Sequence, residues 1–453
     1  MRSSLSRARA FTHGKRDASV AFTRIRRVRK HRDSRANATS SWVWQSEWRA
    51  EDDDGGGERA SRNARARTTT SDALSIAPMM EYTTTSFRVM ARLLSAKTTV
   101  WTEMEVDETV VRAHADARAN KFLDYPVNTH RTVLQIGGSD PGNLARATAI
   151  AAPYAFDEIN LNSGCPSPKV AGRGRFGAAL MADPTLVAAC LKAMAAEVHE
   201  STPVSVKCRI GVDECDSYDD FYRYVETVAT KSPTRRFYVH ARKALLDGLS
   251  PAENRTVPPL RHDWAYAIAR DFPECEFHLN GGLKTLGDAK NAMTRGPADG
   301  GQIRGAMIGR QAHADPWGLL SAADVEMFGE ASNPCASRRV FLERYAEYAD
   351  ETVGRFGMAK DGYRVPSVRH MMHPIQNIFH GCANNKLWRR LVDEELQNRG
   401  KRVDTTVASI LEATLNAIDD ADLDSPPAAA SEHAFDCERE WDLPRVGAGY
   451  RAR

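Results

Sequence analysis

The sequence of 453 residues has no uninterrupted apolar stretch of eighteen residues, so no segment is predicted to cross a bilayer as a helix. Its eight cysteines include no CxxC pair and no cluster, which argues against a zinc-knuckle or a disulfide scaffold. Collagen, coiled-coil and wholly disordered compositions are also excluded, because 42% of the residues are hydrophobic and 27% are charged. We therefore expect a globular protein of a reducing compartment, without membrane spans or metal sites.

Positive charge is concentrated at the start of the chain. Residues 1–50 carry thirteen Lys and Arg against three Asp and Glu, a charge of +10, so the rest contributes −7 to the total of +3. Residues 1–71 are rich in Arg, Ser, Ala and Thr without an apolar period, and we expect them to be disordered. Such a leader is typical of a chloroplast or mitochondrial transit peptide. The alternatives are a basic arm that contacts RNA, or a mistaken start codon, in a cytoplasmic protein.

From residue 75, short β-branched apolar runs alternate with segments of helical spacing. The eight runs are Ser75–Met79, Thr98–Met104, Thr132–Gly138, Asp157–Pro166, Val204–Gly211, Arg236–Arg242, Glu276–Gly282 and Gly305–Arg310. Alternation of this kind is typical of parallel strands joined by helices, and eight units predict a (β/α)8 barrel over residues 72–325. A doubly wound sheet is the alternative, but no GxGxxG motif follows the first run.

The strand pattern ends before residue 338. Segments 338–356, 384–398 and 403–418 have apolar residues at spacings of three and four, which predicts a small helical domain over residues 338–420. The tail 421–453 contains Pro426, Pro427 and a run of alanines, and is expected to be mobile.

The residues that close the runs should surround the active site, because this fold carries its chemistry at the C-terminal ends of its strands. The seventh run closes with Asn280-Gly281-Gly282 and the eighth with Gly309-Arg310. Either pair of residues alone could simply form a turn. Together they lie at the corner where such barrels bind phosphate, which predicts a phosphorylated cofactor or substrate.

Four polar or charged side chains belong to the remaining runs. Lys207 and His240 are expected to meet an anion, because a strand disfavours unpaired charge. Gln135 can donate to and accept from the edge of a heteroaromatic ring. A lone cysteine is usually a small buried hydrophobe, but Cys165 lies on a Gly-Cys-Pro turn at a strand end. There, its thiol can serve as an acid, a base or a nucleophile.

These motifs resemble those of the FMN-dependent tRNA-dihydrouridine synthases, most closely the A-type branch. The resemblance covers about residues 74–395 and rests on the runs 77–79, 82–85, 102–104, 134–141, 157–167, 206–211, 240–243, 248–251, 253–255, 280–282, 369–371 and 388–390. It implies FMN bound across the mouth of the barrel, NADPH as the reductant, and reduction of the C5–C6 double bond of a D-loop uridine in tRNA. For the A-type branch the uridines are those at positions 20 and 20a.

The resemblance also implies roles for individual residues. Cys165 would be the general acid, and Asn162, Arg255 and Arg369 would contact tRNA. The FMN contacts would be Ala77, Pro78, Met79, Gln135, Lys207, His240, Asn280, Gly281, Gly282, Gly309 and Arg310. An ammonium such as Lys207 would stabilise the negative charge of reduced flavin. In the helical domain, Arg369, Lys386, Arg389 and Arg390 would hold tRNA phosphates, unless they form an ordinary solvated helix face.

Three features depart from the family pattern. The segment between Asp107 and Thr132 is long and polar, and Ala252 stands where a cation is expected. The insertion Asp299–Arg304 precedes the eighth run and is expected to alter the phosphate corner slightly.

Two alternative functions stay open. One is an FMN-barrel reductase or dehydrogenase that acts on a small molecule, although it would not need a basic helical domain. The other is a catalytically silent tRNA-binding protein, against which Cys165 and Lys207 argue. We expect the protein to act as a monomer.

Overall fold

The fold is built on eight parallel strands. The protein is described by a computed structural model over residues 72–123, 125, 131–171, 175–428 and 441–447, so the leader 1–71 lies outside the described residues. The strands are β1 Leu74–Ile76, β2 Val100–Val106, β3 Thr132–Gly137, β4 Glu158–Ser163, β5 Val204–Arg209, β6 Arg236–His240, β7 Glu276–Asn280 and β8 Gly305–Ile308. From β2 to β8 each strand pairs with the next one in the chain, and β8 pairs with β1.

Two backbone hydrogen bonds close the sheet between β1 and the residue just before β2. The Ile76 N–H donates to the Thr99 carbonyl at 2.9 Å, and the Thr99 N–H donates to the Leu74 carbonyl at 3.0 Å. The predicted (β/α)8 barrel is therefore confirmed.

Helices cover the outside of the barrel. They are α1 Thr85–Leu94, α2 Asp107–Ala115, α3 Asn120–Leu123, α4 Pro141–Ala151, α5 Pro168–Ala171, α6 Pro184–Ala195, α7 Tyr218–Lys231, α8 His262–Asp271, α9 Leu286–Thr294, α10 Arg310–Ala314, α11 Pro316–Leu320 and α12 Ala323–Phe328. Short 3₁₀ helices lie at Ala152–Tyr154, Gly177–Ala182 and Glu253–Arg255. The local sequence explains several starts: Ser217 and Thr285 form capping boxes with Asp220 and Asp288.

The interior of the barrel is apolar in its middle layer and charged at the N-terminal end of its strands. Ala77, Trp101, Val133, Tyr238 and Met307 form one buried cluster, in which the Trp101 and Tyr238 rings meet edge to face at 4.6 Å. Beneath it, the fully buried Glu158 accepts hydrogen bonds from Arg236 at 2.6 Å and from the Tyr238 hydroxyl at 3.3 Å. In barrels of this fold, paired charges at the N-terminal end of the strands stabilise the fold, and the active site lies at the C-terminal end.

A helical region follows the barrel, as predicted. It comprises α13 Arg338–Thr352, α14 Val368–Met372, the 3₁₀ helix His373–Ile375, α15 Asn385–Arg399, α16 Val407–Thr414, the 3₁₀ helix Leu415–Ala417 and α17 Asp420–Asp424. Both α13 and His373–Ile375 pack against α1. Because α1 follows the β1 loop, this contact brings the helical region to the mouth of the barrel.

Two described stretches of the tail that was expected to be mobile are packed. In α17, Leu423 is buried, and Asp424 accepts a hydrogen bond from Arg339 at 2.6 Å. Further on, the Trp441 ring lies 5.2 Å from that of Tyr266. The partners Arg339 and Tyr266 are distant from the tail in the sequence, so composition alone did not reveal these contacts. The proposed domain boundaries themselves stay a prediction.

Candidate active site

Glycines shape the corner after β7 and β8. Gly281 and Gly282 have φ angles of +108° and +78°, in the region that favours glycine. A Cβ at Gly281 would lie 2.7 Å from the His240 ring, and one at Gly282 would lie 2.5 Å from Leu260. At Gly309, a Cβ would lie 3.4 Å from that of Ala77. The structure thus packs Gly281 and Gly282 so closely against His240 and Leu260 that a larger residue would not fit at either position.

Five cations surround this corner. They come from β5, from the loops after β6 and from the start of α10, and are Lys207, Arg209, Arg242, Arg255 and Arg310. Burial and the proximity of Arg310 lower the pKa of both Arg242 and Arg255. The Nε atoms of Arg242 and Arg255 are buried and have no hydrogen-bond partner in the described part of the chain. Unsatisfied buried donors next to further cations favour an anion such as a phosphate.

Arg209 and Arg242 were not predicted as site residues. Arg209 is almost completely buried, and its guanidinium donates to the carbonyls of Gly164 at 3.1 Å and Asn254 at 2.9 Å. Its signal in the sequence is its spacing: Lys207 and Arg209 are two residues apart on β5, so both point to the same face. Arg242 lies within a matched motif, but the sequence does not show that it is close to Arg310, the proximity that places it in the cluster of cations.

Lys207 is held in place by a neighbouring strand. Its Nζ donates to the Asn280 side-chain oxygen at 3.1 Å, and the Asn280 amide donates to the Met307 carbonyl at 2.8 Å. Burial, with Arg209 nearby, lowers the pKa of Lys207 to about 8. The lysine is therefore still mostly cationic at neutral pH.

His240 is an uncharged member of the mouth. Burial, together with the nearby Arg209 and Lys207, lowers its pKa well below the usual value. Its ring is therefore neutral at pH 7, and it can accept or donate a single hydrogen bond rather than add charge.

Neutral amides occupy the β3–β4 side of the mouth. The Asn162 amide nitrogen donates to the Gln135 side-chain oxygen at 2.8 Å. The Asn162 side-chain oxygen accepts the backbone N–H groups of Gly164 at 3.1 Å and Cys165 at 3.0 Å. Asn162, expected to contact tRNA, thus also fixes the turn that carries the thiol.

Cys165 is a half-buried thiol on this fixed turn. Its carbonyl accepts the Ala178 N–H at 2.9 Å, and Gly177 approaches so closely that a Cβ there would lie 2.6 Å from the Cys165 oxygen. Cys190 and Cys208 are fully buried, and burial raises their pKa values to about 12, which makes those thiols poor proton donors. Partial exposure therefore distinguishes Cys165 from these two cysteines.

The residues expected to contact tRNA lie in two places. Arg255, in the 3₁₀ helix Glu253–Arg255, is close enough to Cys165, Arg310 and Tyr82 for each to influence its pKa. Its neighbour Asn254 is fully buried and binds the loop backbone, donating to the Leu245 carbonyl at 2.8 Å.

Arg369 belongs to the helical region instead. It lies on α14 and pairs with Asp393 of α15 at 3.5 Å. Along α15, Lys386, Arg389 and Arg390 are exposed, and Arg390 pairs with Glu394 at 3.6 Å. The helix face expected to hold phosphates is therefore mixed in charge, with Lys386 and Arg389 as its cations without an ion pair in the described part of the chain.

The insertion Asp299–Arg304 does not reach the phosphate corner, contrary to expectation. It leads into the N-terminal end of β8, and the Gly301 N–H donates to the Tyr266 carbonyl of α8 at 2.8 Å. Because the corner lies at the other end of β8, the insertion contacts the barrel exterior. Part of the long segment 107–132 forms α2 and α3, while residues 124 and 126–130 lie outside the described residues.

Comparisons with known proteins show the family of the chain. The family model described as dihydrouridine synthase (Dus) matches residues 75–417. A tRNA-dihydrouridine(20/20a) synthase of Vibrio vulnificus is 38% identical over 73% of this chain and 94% of its own length. The synthase of the same description from Escherichia coli K12 is 37% identical over 77% of this chain and 92% of its own length. The chain belongs to the dihydrouridine synthase family, a family of FMN-dependent oxidoreductases, as its motifs predicted.

A solved structure also matches in part. The complex of 2-naphthoyl-CoA reductase with 2-naphthoyl-CoA aligns with a TM-score of 0.38 and 10% identity, over 60% of this chain and 53% of that one. A likeness of this size carries no argument about function. In the described part of the chain, no helix is long and apolar enough to span a membrane, and no group of three or more His, Cys, Asp or Glu is arranged to bind a metal ion.

Proposed function

We propose that the protein reduces the C5–C6 double bond of a D-loop uridine in tRNA, at position 20 or 20a, with FMN as its flavin and NADPH as its reductant. The observation that carries the proposal is the half-buried thiol of Cys165, fixed at the mouth of a barrel beside a cluster of cations. Relatives described as tRNA-dihydrouridine(20/20a) synthases, 37–39% identical over most of the chain, support the substrate and its position.

The residues of the mouth fit FMN. The unsatisfied Nε atoms of Arg242 and Arg255, next to the glycine turn after β7, suit its phosphate. Gln135, whose side-chain oxygen accepts a hydrogen bond from Asn162, carries an amide group suited to the polar edge of its ring. When bound, FMN supplies the hydride that the C6 atom of the uracil receives.

Lys207 and Cys165 have complementary tasks in this reaction. Lys207, positioned by Asn280, provides positive charge where a reduced flavin would carry negative charge. Cys165 holds a proton at Sγ and delivers it to C5 of the uracil, so that the double bond gains one hydride and one proton. A positioned general acid of this kind accelerates a reaction by roughly 10²–10⁴-fold.

The target uridine must leave its stacked position to reach the thiol, as in other enzymes that modify bases. We propose that Arg255 holds the substrate at the mouth and that Arg369, Lys386 and Arg389 hold more distant phosphates of the tRNA. Their exposed positions on α14 and α15 support contacts that do not depend on sequence.

The state and location of the protein are part of the proposal. We propose that it acts as a monomer, which light scattering of the holoenzyme would test. We also propose that residues 1–71 direct it to a chloroplast or a mitochondrion, on the basis of their Arg- and Ser-rich composition. Fusing these residues to a fluorescent protein and finding it in the cytosol would contradict that location.

The decisive experiment incubates the purified protein with FMN, NADPH and unmodified tRNA, and maps dihydrouridine by mass spectrometry. We expect one D-loop uridine to gain the mass of two hydrogens, and Cys165→Ala to slow this gain by roughly 10²–10⁴-fold. The exposed cysteine variant Cys215→Ala is the matched control and should react like the wild type.

Two other results would identify the alternatives. If the protein binds FMN and oxidises NADPH while no uridine gains mass, it is a reductase of a small molecule. If it binds tRNA without oxidising NADPH, it is a silent tRNA-binding protein.

A further inference from the structure

A cluster of three rings lies at the rim of the barrel mouth. Tyr82 follows β1, His313 lies on α10 after β8, and His373 begins the 3₁₀ helix of the helical region. We propose that these residues, the rim cluster, form a stacking surface for a nucleobase of the tRNA next to the target uridine. This inference rests on the proposed function.

The three rings are in mutual contact across two parts of the fold. The Tyr82 and His313 rings meet edge to face with centroids 4.4 Å apart, and His373 lies 5.6 Å from His313 and 6.2 Å from Tyr82. The buried Phe87 of α1 lies 6.5 Å from His313, with the two rings nearly parallel. His313 therefore contacts both a buried ring and the more exposed rings of Tyr82 and His373.

Two members of the cluster face solvent. Tyr82 is 41% exposed and its neighbour Met80 is 55% exposed, whereas the largest aromatic rings of the barrel are fully buried. His373 is also exposed, and His313 is half-buried. Exposed rings on a buried support are suited to stacking with a flat partner, since every nucleobase presents a π-face.

Charges on both sides of the rim cluster favour a nucleotide over an uncharged aromatic partner. Tyr82 lies within electrostatic range of Arg255, which is itself close to Cys165. On the opposite side, Arg389 of α15 influences His313. Burial, with His373 and Arg389 nearby, lowers the pKa of His313 to about 4, so this ring stays neutral at pH 7. The rings thus offer an uncharged surface, and the two arginines offer partners for the flanking phosphates.

The position next to Arg255 and Cys165 indicates which nucleotide would bind. Turning a uridine out of the tRNA breaks its stacking with the bases on either side. An aromatic surface beside the mouth replaces this lost stacking for one neighbouring base. The rim cluster would therefore act on substrate binding rather than on proton or hydride transfer.

The test compares four variants of the flavin-loaded protein by their affinity for unmodified tRNA and by steady-state kinetics. Tyr82→Leu keeps apolar bulk but removes the ring, and we expect tRNA affinity to fall and KM to rise by about tenfold. His373→Ala should weaken binding by about fivefold. Tyr82→Phe retains a ring and should bind like the wild type. The control His199→Ala changes an exposed histidine at the surface after α6 and should have no effect.

A purely structural role predicts different results. It would lower the melting temperature and the flavin content of Tyr82→Leu. We expect instead an unchanged melting temperature, with flavin content and kcat within about twofold of the wild type. Unchanged tRNA affinity in both Tyr82→Leu and His373→Ala would overturn the proposal. Because tRNA affinity is measured directly, this outcome is distinct from a wild-type protein that makes no dihydrouridine, which would contradict the proposed function instead.

Discussion

Replacing Gly281 with alanine tests whether the glycine corner is built for an anion. The substitution places a Cβ 2.7 Å from His240 Cδ2 and 3.2 Å from Leu260 Cδ2, at a φ angle of +108°. Forcing an L-residue into left-handed backbone costs about 1–2 kcal/mol. Overpacking adds about 1–3 kcal/mol. We therefore expect the free energy of unfolding to fall by about 2–5 kcal/mol.

We expect Gly281→Ala to weaken flavin binding as well. The His240 ring can avoid the new methyl group only by moving away from Gly281, which alters the space beside Arg310 and Arg242. A misfit of 1.4 kcal/mol corresponds to about a tenfold loss of affinity, and we expect at least this loss for FMN.

Gly329 provides the matched control. It ends α12 with a φ angle of +69°, and no atom lies within 4 Å of its hypothetical Cβ. Gly329→Ala should therefore cost only the backbone contribution, about 1–2 kcal/mol, and retain its flavin. The assays are urea unfolding of the apoprotein and fluorescence titration with FMN. If Gly281→Ala were no less stable than Gly329→Ala and bound FMN like the wild type, the steric account of this corner would be refuted.

Two further predictions follow from the described contacts. Asn162→Ala removes the acceptor for the Gly164 and Cys165 N–H groups. Because the turn that carries Cys165 then loses its support, kcat for uridine reduction should fall by about tenfold or more, while flavin content is retained. An unchanged kcat would show that the turn positions Cys165 without Asn162. Burial and nearby Glu103 raise the pKa of Glu105 to about 7. The folded protein thus binds a proton that the unfolded chain releases at lower pH, and this contribution to stability is lost as the pH rises through about 7. Glu105→Gln should stabilise the protein at pH 8 by about 1–3 kcal/mol but not at pH 4, in urea unfolding compared with the exposed control Glu108→Gln.

The barrel was predictable from the sequence because its strands are short runs of β-branched residues at regular intervals. Seven of the eight predicted runs extended too far at their C-terminal ends, however, whereas β2 continues two residues beyond the predicted Met104. Residues such as Pro166, Arg242 and Gly282 follow the last paired residues of β4, β6 and β7. They resemble strand ends in the sequence, yet they form the turns of the mouth. The predictions for the phosphate corner and Cys165 could be made for this reason: their motifs are local and lie next to strands.

Features that depend on contacts between distant segments could not be found in this way. The rim cluster joins Tyr82, His313 and His373 from three separate parts of the chain. Only Tyr82 lies in a matched motif, and nothing in that motif predicts its contact with the two histidines. The packing of the tail against Tyr266 and Arg339 is of the same kind. Periodicity reports which face of an element is buried, but not which other element covers it.

The mouth of the barrel carries its cations on one side and, on the other, the amides that position the backbone. Cations from β5, the β6 loop and α10 lie on one side, whereas Gln135 and Asn162 place neutral amides on the other. Cys165 follows β4, which pairs directly with β5, so the thiol stands at the boundary between these two sides. A phosphate is attracted to the cationic side, while hydrogen bonds on the amide side fix the backbone that carries the thiol. The Cys165 N–H donates to the Asn162 side chain, and the Cys165 carbonyl accepts the Ala178 N–H. Because these contacts use only the backbone of Cys165, its Sγ is available for the proposed proton transfer.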